Sequence, residues 1–438
     1  MDFFNDIILN TENLKNNLKV IKKQAGNKKI CAMVKANAYG HDLKFTVLNL
    51  KNDVDFFGVA NSVEALEVRK YAQKNKILVC GKVDKEKIIE LVENNISLTI
   101  YSLKSLLEII YAVKNFNKIN KIKQDKELDE KTNNNPIFTV NQKSIKAKVH
   151  IKLNTGMNRL GFKTIGGFLK ALEIIEKYKR VVTLEGVYSH LFNCDNIGLV
   201  HTQYNRFLKF LNCINIYNDK LMLEHKSIDK DVKIIGNKKY KLLNKYAKNN
   251  NEEIVQNAKH CEKKLIDFKN LIIHIENSGG LFNNADYLNV CNMARIGIAL
   301  FGLEIKGYGL KPVMSVKSKI VAIQKVKQED YCGYGKVVLD FDGTVAVVPI
   351  GYADGIIRGY KDYFVTINKK PCKILNVCMD SIIIDVTNLP IKIGDEVTII
   401  SNNNLSVNSA NKIAKHLGTI SYEVVTNINH TRFNTIIN

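Results

Sequence analysis

The chain has 438 residues, enough for two or three domains at roughly 100–200 residues each. Hydrophobic residues make up 45% and charged residues 25%, a globular usage that excludes a chain disordered throughout. Lysine and arginine outnumber aspartate and glutamate 65 to 43, a net charge of +22 that raises the question of a nucleic-acid partner. In chain order, short β-branched runs recur, each followed by a helical pattern. Ile30–Val34 leads to a helix near Asp42–Leu50, and Phe56–Ala60 to a helix that Asn61 can cap, with Glu64 completing a capping box. Ile77–Cys80 precedes a helix over Lys85–Glu93, and Ser97–Tyr101 one over Leu103–Tyr111, capped by Ser102. Lys148–Leu153 precedes a helix near Ile165–Tyr178, Thr183–His190 one over His201–Leu211, and Leu271–Ile275 a short one near Asn283–Val290. Arg295–Phe301 is the eighth strand.

Eight strands alternating with helices is the count of a (β/α)8 TIM-type barrel. An open doubly wound sheet fits the spacing almost as well. From about Lys311 the strands follow one another without helices: Val316–Ile323, Val345–Ile350, Phe364–Ile367, Ile382–Val386 and Glu396–Ile400. Only Ala410–His416 reads as helix. The expected division is an α/β barrel over 1–307 and a mainly β domain over 308–438.

Two stretches supply much of the positive charge. Lys114–Lys148 has nine basic and four acidic residues, and Asp219–Lys264 has twelve and seven. Both are rich in Lys and Asn with little hydrophobic periodicity, so they read as polar insertions near 114–146 and 219–264. They carry few aromatics among the charges, which argues against a row of stacking platforms for a nucleic acid. No apolar run approaches the ~18 residues of a membrane helix. Nine cysteines without a CxxC pair read as free thiols in a reducing cytoplasm, and the acidic start MDFFNDIILN does not read as an export signal.

Candidate chemistry collects at strand ends. Lys35 ends the first strand; a lysine there points into a barrel's site, where desolvation favours the reactive amine that can hold an aldehyde. Lys152 and Arg159 flank Asn154–Met157, His190 closes the sixth strand, and Asn277-Ser278-Gly279-Gly280 follow the seventh. Small residues there can let backbone N–H groups approach a phosphate, as barrels often do near strands seven and eight. Arg295 lies on the eighth strand. Each signal is weak alone, but together they put chargeable groups at one rim.

The segments Val34–His41, His150–Gly161, Asn277–Gly280, Arg295–Gly302, Gly333–Lys336, Pro349–Gly355 and Val377–Asp380 occur in the order found in the alanine racemase family. The resemblance runs from about Ile7 to Phe433. It implies pyridoxal 5'-phosphate as cofactor, alanine as substrate, and D-alanine for peptidoglycan as the product. Lys35 matches the lysine that holds the cofactor and takes the proton of the D form, and Tyr334 matches the tyrosine that takes that of the L form on the opposite face. That tyrosine comes from a partner subunit in the family, which implies a homodimer. Tyr39, His190, Ser278, Arg295, Gly297, Ile298 and Tyr422 match cofactor contacts, with Arg295 facing the pyridine nitrogen. Arg159 and Met379 match substrate contacts, and Lys152, Tyr352 and Asp380 match supporting positions. Asn154 departs from the family's aspartate, which alters the charge around Arg159. No metal and no membrane or nucleic-acid partner is implied.

Rival readings share the architecture. A broad-specificity amino-acid racemase fits the same motifs. A basic amino-acid decarboxylase needs an acidic residue at the pyridine nitrogen, which Arg295 opposes. A non-catalytic pyridoxal-phosphate carrier would keep Lys35 and have no use for Tyr334.

Overall fold

The computed structural model describes residues 4–131, 144–226, 270–284, 288–335 and 337–438. After β1 (Asp6–Leu9) and α1 (Thr11–Ala25), the parallel strands are β2 (Lys29–Met33), β3 (Phe56–Val59), β4 (Lys76–Val79), β5 (Ile96–Ile100), β6 (Ala147–Lys152), β7 (Val182–Tyr188), β8 (Ile272–His274) and β9 (Met293–Ile296). Their order is β8-β7-β6-β5-β4-β3-β2-β9. Sequential neighbours with β9 beside β2 make a near-closed barrel; a doubly wound sheet would reverse its order midway. Every residue of β3 and β5 is buried, as expected for strands covered on both faces.

The helices between them are α2 (Leu43–Leu50), α3 (Ser62–Tyr71), α4 (Ile88–Glu93), α5 (Leu103–Lys131), α6 (Ile165–Lys177), α7 (Ile197–Lys226) and α8 (Ser278–Asn284). Their starts are chemically marked. Asp42 Oδ1 accepts from the Phe45 N–H at 2.7 Å, Ser102 Oγ from Ser105 at 3.1 Å, and Thr164 Oγ1 from Gly167 at 3.2 Å. Such caps satisfy N–H groups that the first turn leaves without partners. No helix among the described residues is long and apolar enough to cross a membrane.

Several expectations change. The lysine-rich run after Lys114 begins as a helix, because α5 continues to Lys131. The Lys, Glu, Gln and Leu residues of this run are good helix formers, so propensity carries the helix on beyond its buried stripe of Leu106, Ile109, Ile110 and Val113. In the same way α7 runs on to Lys226. The remainder of both insertions, 132–143 and 227–264, lies outside the described residues. The helix expected near Asn283 starts at Ser278, where Asn277 Oδ1 accepts from the Gly280 N–H at 2.9 Å. The strand expected over Arg295–Phe301 stops at Ile296, and Ile298–Phe301 form a 3-10 turn. Gly297 has φ −115° and ψ −92°, which breaks the extended run.

The chain divides into two compact units, Met1–Asp84 with Ile275–Asn438, and Lys85–His274. The first also carries a nine-stranded, mainly antiparallel sheet. Besides β1 it contains β10 (Met314–Lys319), β11 (Ala322–Val326), β12 (Gly343–Val348), β13 (Phe364–Ile367), β14 (Lys370–Val377), β15 (Ile382–Asp385), β16 (Glu396–Ile400) and β17 (Asn434–Ile437). Their order is β11-β12-β15-β14-β13-β16-β10-β1-β17. The first and last strands of the chain are therefore neighbours in it. Two helices follow β16, α9 (Ala410–Leu417) and α10 (Ser421–Thr426). The second was not expected, and it places Tyr422 on a helix instead of among strands.

Candidate active site

Lys35 follows the carboxyl end of β2 and is half-buried. The next four residues, Ala36 to Tyr39, all have positive φ between 51° and 56°, a left-handed turn. L-residues resist this conformation by about 1–2 kcal/mol each, so other groups must hold it. Glu64 Oε1 accepts from the Ala36 N–H at 2.8 Å, and Asn37 Oδ1 accepts from Leu43 at 2.8 Å. His430 Nε2 lies 2.7 Å from the Gly40 carbonyl. A Cβ on Gly40 would collide with the Val425 carbonyl, so α10 packs directly on the turn. Glu64 is thus not the second half of a capping box. Asn61 does cap α3, accepting from the Glu64 N–H at 2.9 Å, but the Glu64 carboxylate reaches back to Ala60 and Ala36.

The turn sets Tyr39 beside the lysine. Lys35 Nζ lies 5.7 Å from the Tyr39 ring centroid. That ring is 5.9 Å from Tyr422 and 5.7 Å from Phe301, and burial pushes its phenol well above the usual range. Gly297 is required here because an added Cβ would overlap the Tyr39 hydroxyl. Ser278 Oγ, buried at the start of α8, accepts from Gly297 at 3.2 Å and from Ala299 at 3.4 Å. Arg295 is buried, and its Nη2 donates to the Ile275 carbonyl at 3.4 Å. Beside it, Lys28 and the buried Glu276 form a 2.5 Å ion pair; burial raises the Glu276 carboxyl, and Lys28 opposes the rise. The structure therefore gathers Lys35, Tyr39, Tyr422, Ser278 and Gly297 into one neighbourhood, with Ile298 opening the buried 3-10 turn.

His41 completes the turn. Its Nδ1 lies 2.9 Å from the Tyr39 carbonyl, its ring stacks on Phe301 at 4.1 Å, and burial holds its pKa at about 3. The folded protein therefore refuses a proton that the unfolded chain takes up below about pH 6.5. Stability from this group is complete above that pH and falls by up to about 1.4 kcal/mol per unit down to about pH 3. Urea midpoints measured across this window should fall less steeply for His41→Gln than for the parent.

Other assigned residues of this unit lie on the connections between strands of the antiparallel sheet. Tyr334 is 78% exposed, and among the described residues its hydroxyl has no hydrogen-bond partner. Tyr352 and Met379 lie on interlocked loops, where the Tyr352 N–H donates to Cys378 at 3.1 Å and that of Ala353 to Met379 at 2.8 Å. Asp380 adjoins them and is exposed. The buried Asp354, which sequence reasoning missed, anchors these loops. Its carboxylate accepts from the Gly351 N–H at 2.8 Å and from Arg432 Nε at 2.6 Å. A Gly-Tyr-Ala-Asp-Gly segment gives no sign that its acidic residue turns inward, and Arg432 is 78 positions away.

In the second unit Lys152 is buried at the end of β6, with Nζ 5.6 Å from the Tyr188 ring centroid. Tyr188 stacks on His274 at 4.7 Å, and its hydroxyl lies 2.9 Å from Thr99 Oγ1. His274 lies 2.9 Å from His150, which lies 3.1 Å from Glu185. This buried polar chain beneath Lys152 was also missed, since its members come from four strands. Asn154 Oδ1 accepts from Gly156 and Asn158, closing the loop that carries Arg159. Arg159 itself is exposed, with no hydrogen bond or ion pair among the described residues. His190 is half-buried, and its carbonyl accepts from Gln203 at 3.0 Å.

Residues 9–223 match the family model of the alanine racemase N-terminal domain, and residues 313–437 that of the alanine racemase C-terminal domain. A curated alanine racemase of Francisella philomiragia is 30% identical over 437 residues, 97% of this chain and 98% of that protein. One of Methanococcus maripaludis is 29% identical over 425 residues, 94% and 93% of the two chains. The solved alanine racemase of Clostridium difficile matches with a TM-score of 0.73 at 27% identity, covering 100% of this chain and 97% of that one. That of Bacillus anthracis matches with 0.74 at 25% identity, covering 100% and 96%. With both domain models matched in order and relatives spanning nearly its whole length, this chain belongs to the alanine racemase family.

Proposed function

We infer that this protein interconverts L- and D-alanine with pyridoxal 5'-phosphate as cofactor. The observation that carries the reading is the strained left-handed turn that sets Lys35 beside Tyr39, against the Ser278–Gly297 corner. The donor set suits the cofactor: an amine for its aldehyde, and a glycine with neighbouring N–H groups and hydroxyls for its phosphate. Bound pyridoxal phosphate supplies an electron sink that makes the α-proton of alanine removable. Lys35 would hold the cofactor, and its amine, when free, would carry a proton on one face of the α-carbon. Tyr39, Ser278, Tyr422 and the backbone at Gly297 and Ile298 hold the phosphate. Arg295 would face the ring nitrogen; its guanidinium does not give up a proton, so it would disfavour protonation there and, with it, side reactions. His190, Lys152, Arg159 and Met379 orient cofactor and substrate, while Tyr352 and Asp380 shape the approach.

Tyr334 carries the proton on the opposite face, supplied by a second copy of the chain. Its exposure, shared with Tyr331 at 75% and Met379 at 57%, suits a surface that a partner subunit covers. The same reading places the enzyme in the cytoplasm, with its D-alanine going to peptidoglycan. Purified protein loaded with pyridoxal phosphate should convert L-alanine to the racemate, as followed by chiral chromatography. Comparable turnover of bulkier or basic amino acids would favour the broad-specificity alternative. Loading without turnover of any amino acid would overturn the assignment.

A further inference from the structure

We propose that Asn376 is a positioning residue for Tyr334, fixing the backbone from which the phenol projects. The inference rests on the reading of Tyr334 as a proton carrier. Tyr334 sits at the tip of a loop closed by the Tyr331–Val338 bridge and by the Cys332 N–H bond to the Val337 carbonyl at 2.8 Å. Both flanking glycines have positive φ, 64° at Gly333 and 87° at Gly335. Glycine adopts many conformations readily, so the tip has little intrinsic reason to hold one direction.

Asn376 supplies that reason. Its Nδ2 donates to the carbonyls of Cys332 and Tyr334, both at 2.7 Å. Its Oδ1 accepts from the Val377 N–H at 2.9 Å, so the orientation of the amide is fixed by three partners. The side chain is buried, where bonds of this kind are costly to lose. A bulge delivers it. Ile374 pairs with Ile384 and Asn376 with Ile383, leaving Leu375 as an extra residue in β14. Bulges re-aim side chains, and they do so often beside active sites. Here Leu375 joins the buried cluster of Cys332, Leu339 and Val345, while Asn376 reaches the tip of the same loop. An added Cβ on Gly333 would sit 2.8 Å from Nδ2, so the glycine admits the amide.

The test is Asn376→Asp, which keeps the shape and replaces both donated hydrogen bonds with an oxygen facing two carbonyls. In holoenzyme the turnover number should fall by about 10- to 100-fold, with KM changed by less than about threefold. Exchange of the α-proton with deuterium oxide should remain near the parent rate for D-alanine and fall at least about tenfold for L-alanine. Asn376→Ser, which keeps one donor, should show the same asymmetry in smaller degree and serves if the aspartate variant does not fold. Unchanged kinetics, or an equal fall for both enantiomers, would overturn the proposal, because loosened structure alone has no reason to spare one face. Tyr334→Phe run in parallel separates the two ideas. If it spares L-alanine exchange, the assignment of Tyr334 fails and this proposal with it. If it removes that exchange while both Asn376 variants retain it, only the positioning role fails.

Discussion

Lys35→Ala is expected to abolish both cofactor attachment and turnover, lowering racemisation by at least ~10⁴-fold. Covalent attachment and one proton carrier vanish together, and acid–base catalysis by one positioned group alone is worth about 10²–10⁴. The neighbourhood should survive, because the left-handed turn is held by Glu64, Asn37 and His430 and not by the lysine side chain. The measurement is the absorbance band of the loaded protein near ~420 nm and its response to borohydride. The parent should be reduced irreversibly with the label on Lys35, and the variant should lose cofactor on dialysis. A variant that kept a borohydride-reducible attachment would remove Lys35 from the centre of the site.

Tyr334→Phe is expected to leave cofactor loading intact while lowering racemisation by about 10²–10⁴-fold, roughly 3–5 kcal/mol of barrier. The substitution removes one hydroxyl that is exposed in a single chain, so the fold has nothing to lose by it. In the proposed mechanism Lys35 remains to serve the D enantiomer. The variant should therefore exchange the α-proton of D-alanine with solvent deuterium faster than that of L-alanine. Equal exchange from both would mean that one base serves both faces.

The βα repeats were legible because each is a local event: an apolar run, a polar turn with a capping side chain, then a helical stretch. The residues proposed to carry chemistry stood out in the sequence for a related reason, since each is one side chain inside one short motif. What escaped depends on distant partners. Nothing in Lys-Ala-Asn-Ala-Tyr-Gly argues for a left-handed turn, and alanine favours the opposite hand. The groups that enforce it come from Glu64 and His430. Strand β14 was hidden by Pro371 within a lysine-rich stretch that reads as a turn, yet Pro371 lies near the strand's start, a position proline tolerates. Asn376, Asp354 and the Tyr188–His274–His150–Glu185 chain looked like ordinary polar residues. Their roles appear only when segments 35 or more positions apart meet.

The pairing of β1 with both β10 and β17 has a consequence for biosynthesis. Asp6–Leu9 lies antiparallel to Met314–Lys317 and parallel to Asn434–Ile437, with Ile7 and Leu9 fully buried. At about 5–20 residues per second, the ribosome takes roughly 15–60 s after making this strand to produce its first partner. The second, Asn434–Ile437, arrives later still. During that interval an apolar strand with free edges waits in the nascent polypeptide, a template for wrong pairing. The β1 side of this sheet cannot be finished early, so the unit bearing Lys35 and Tyr334 stays incomplete until Asn434–Ile437 has been made.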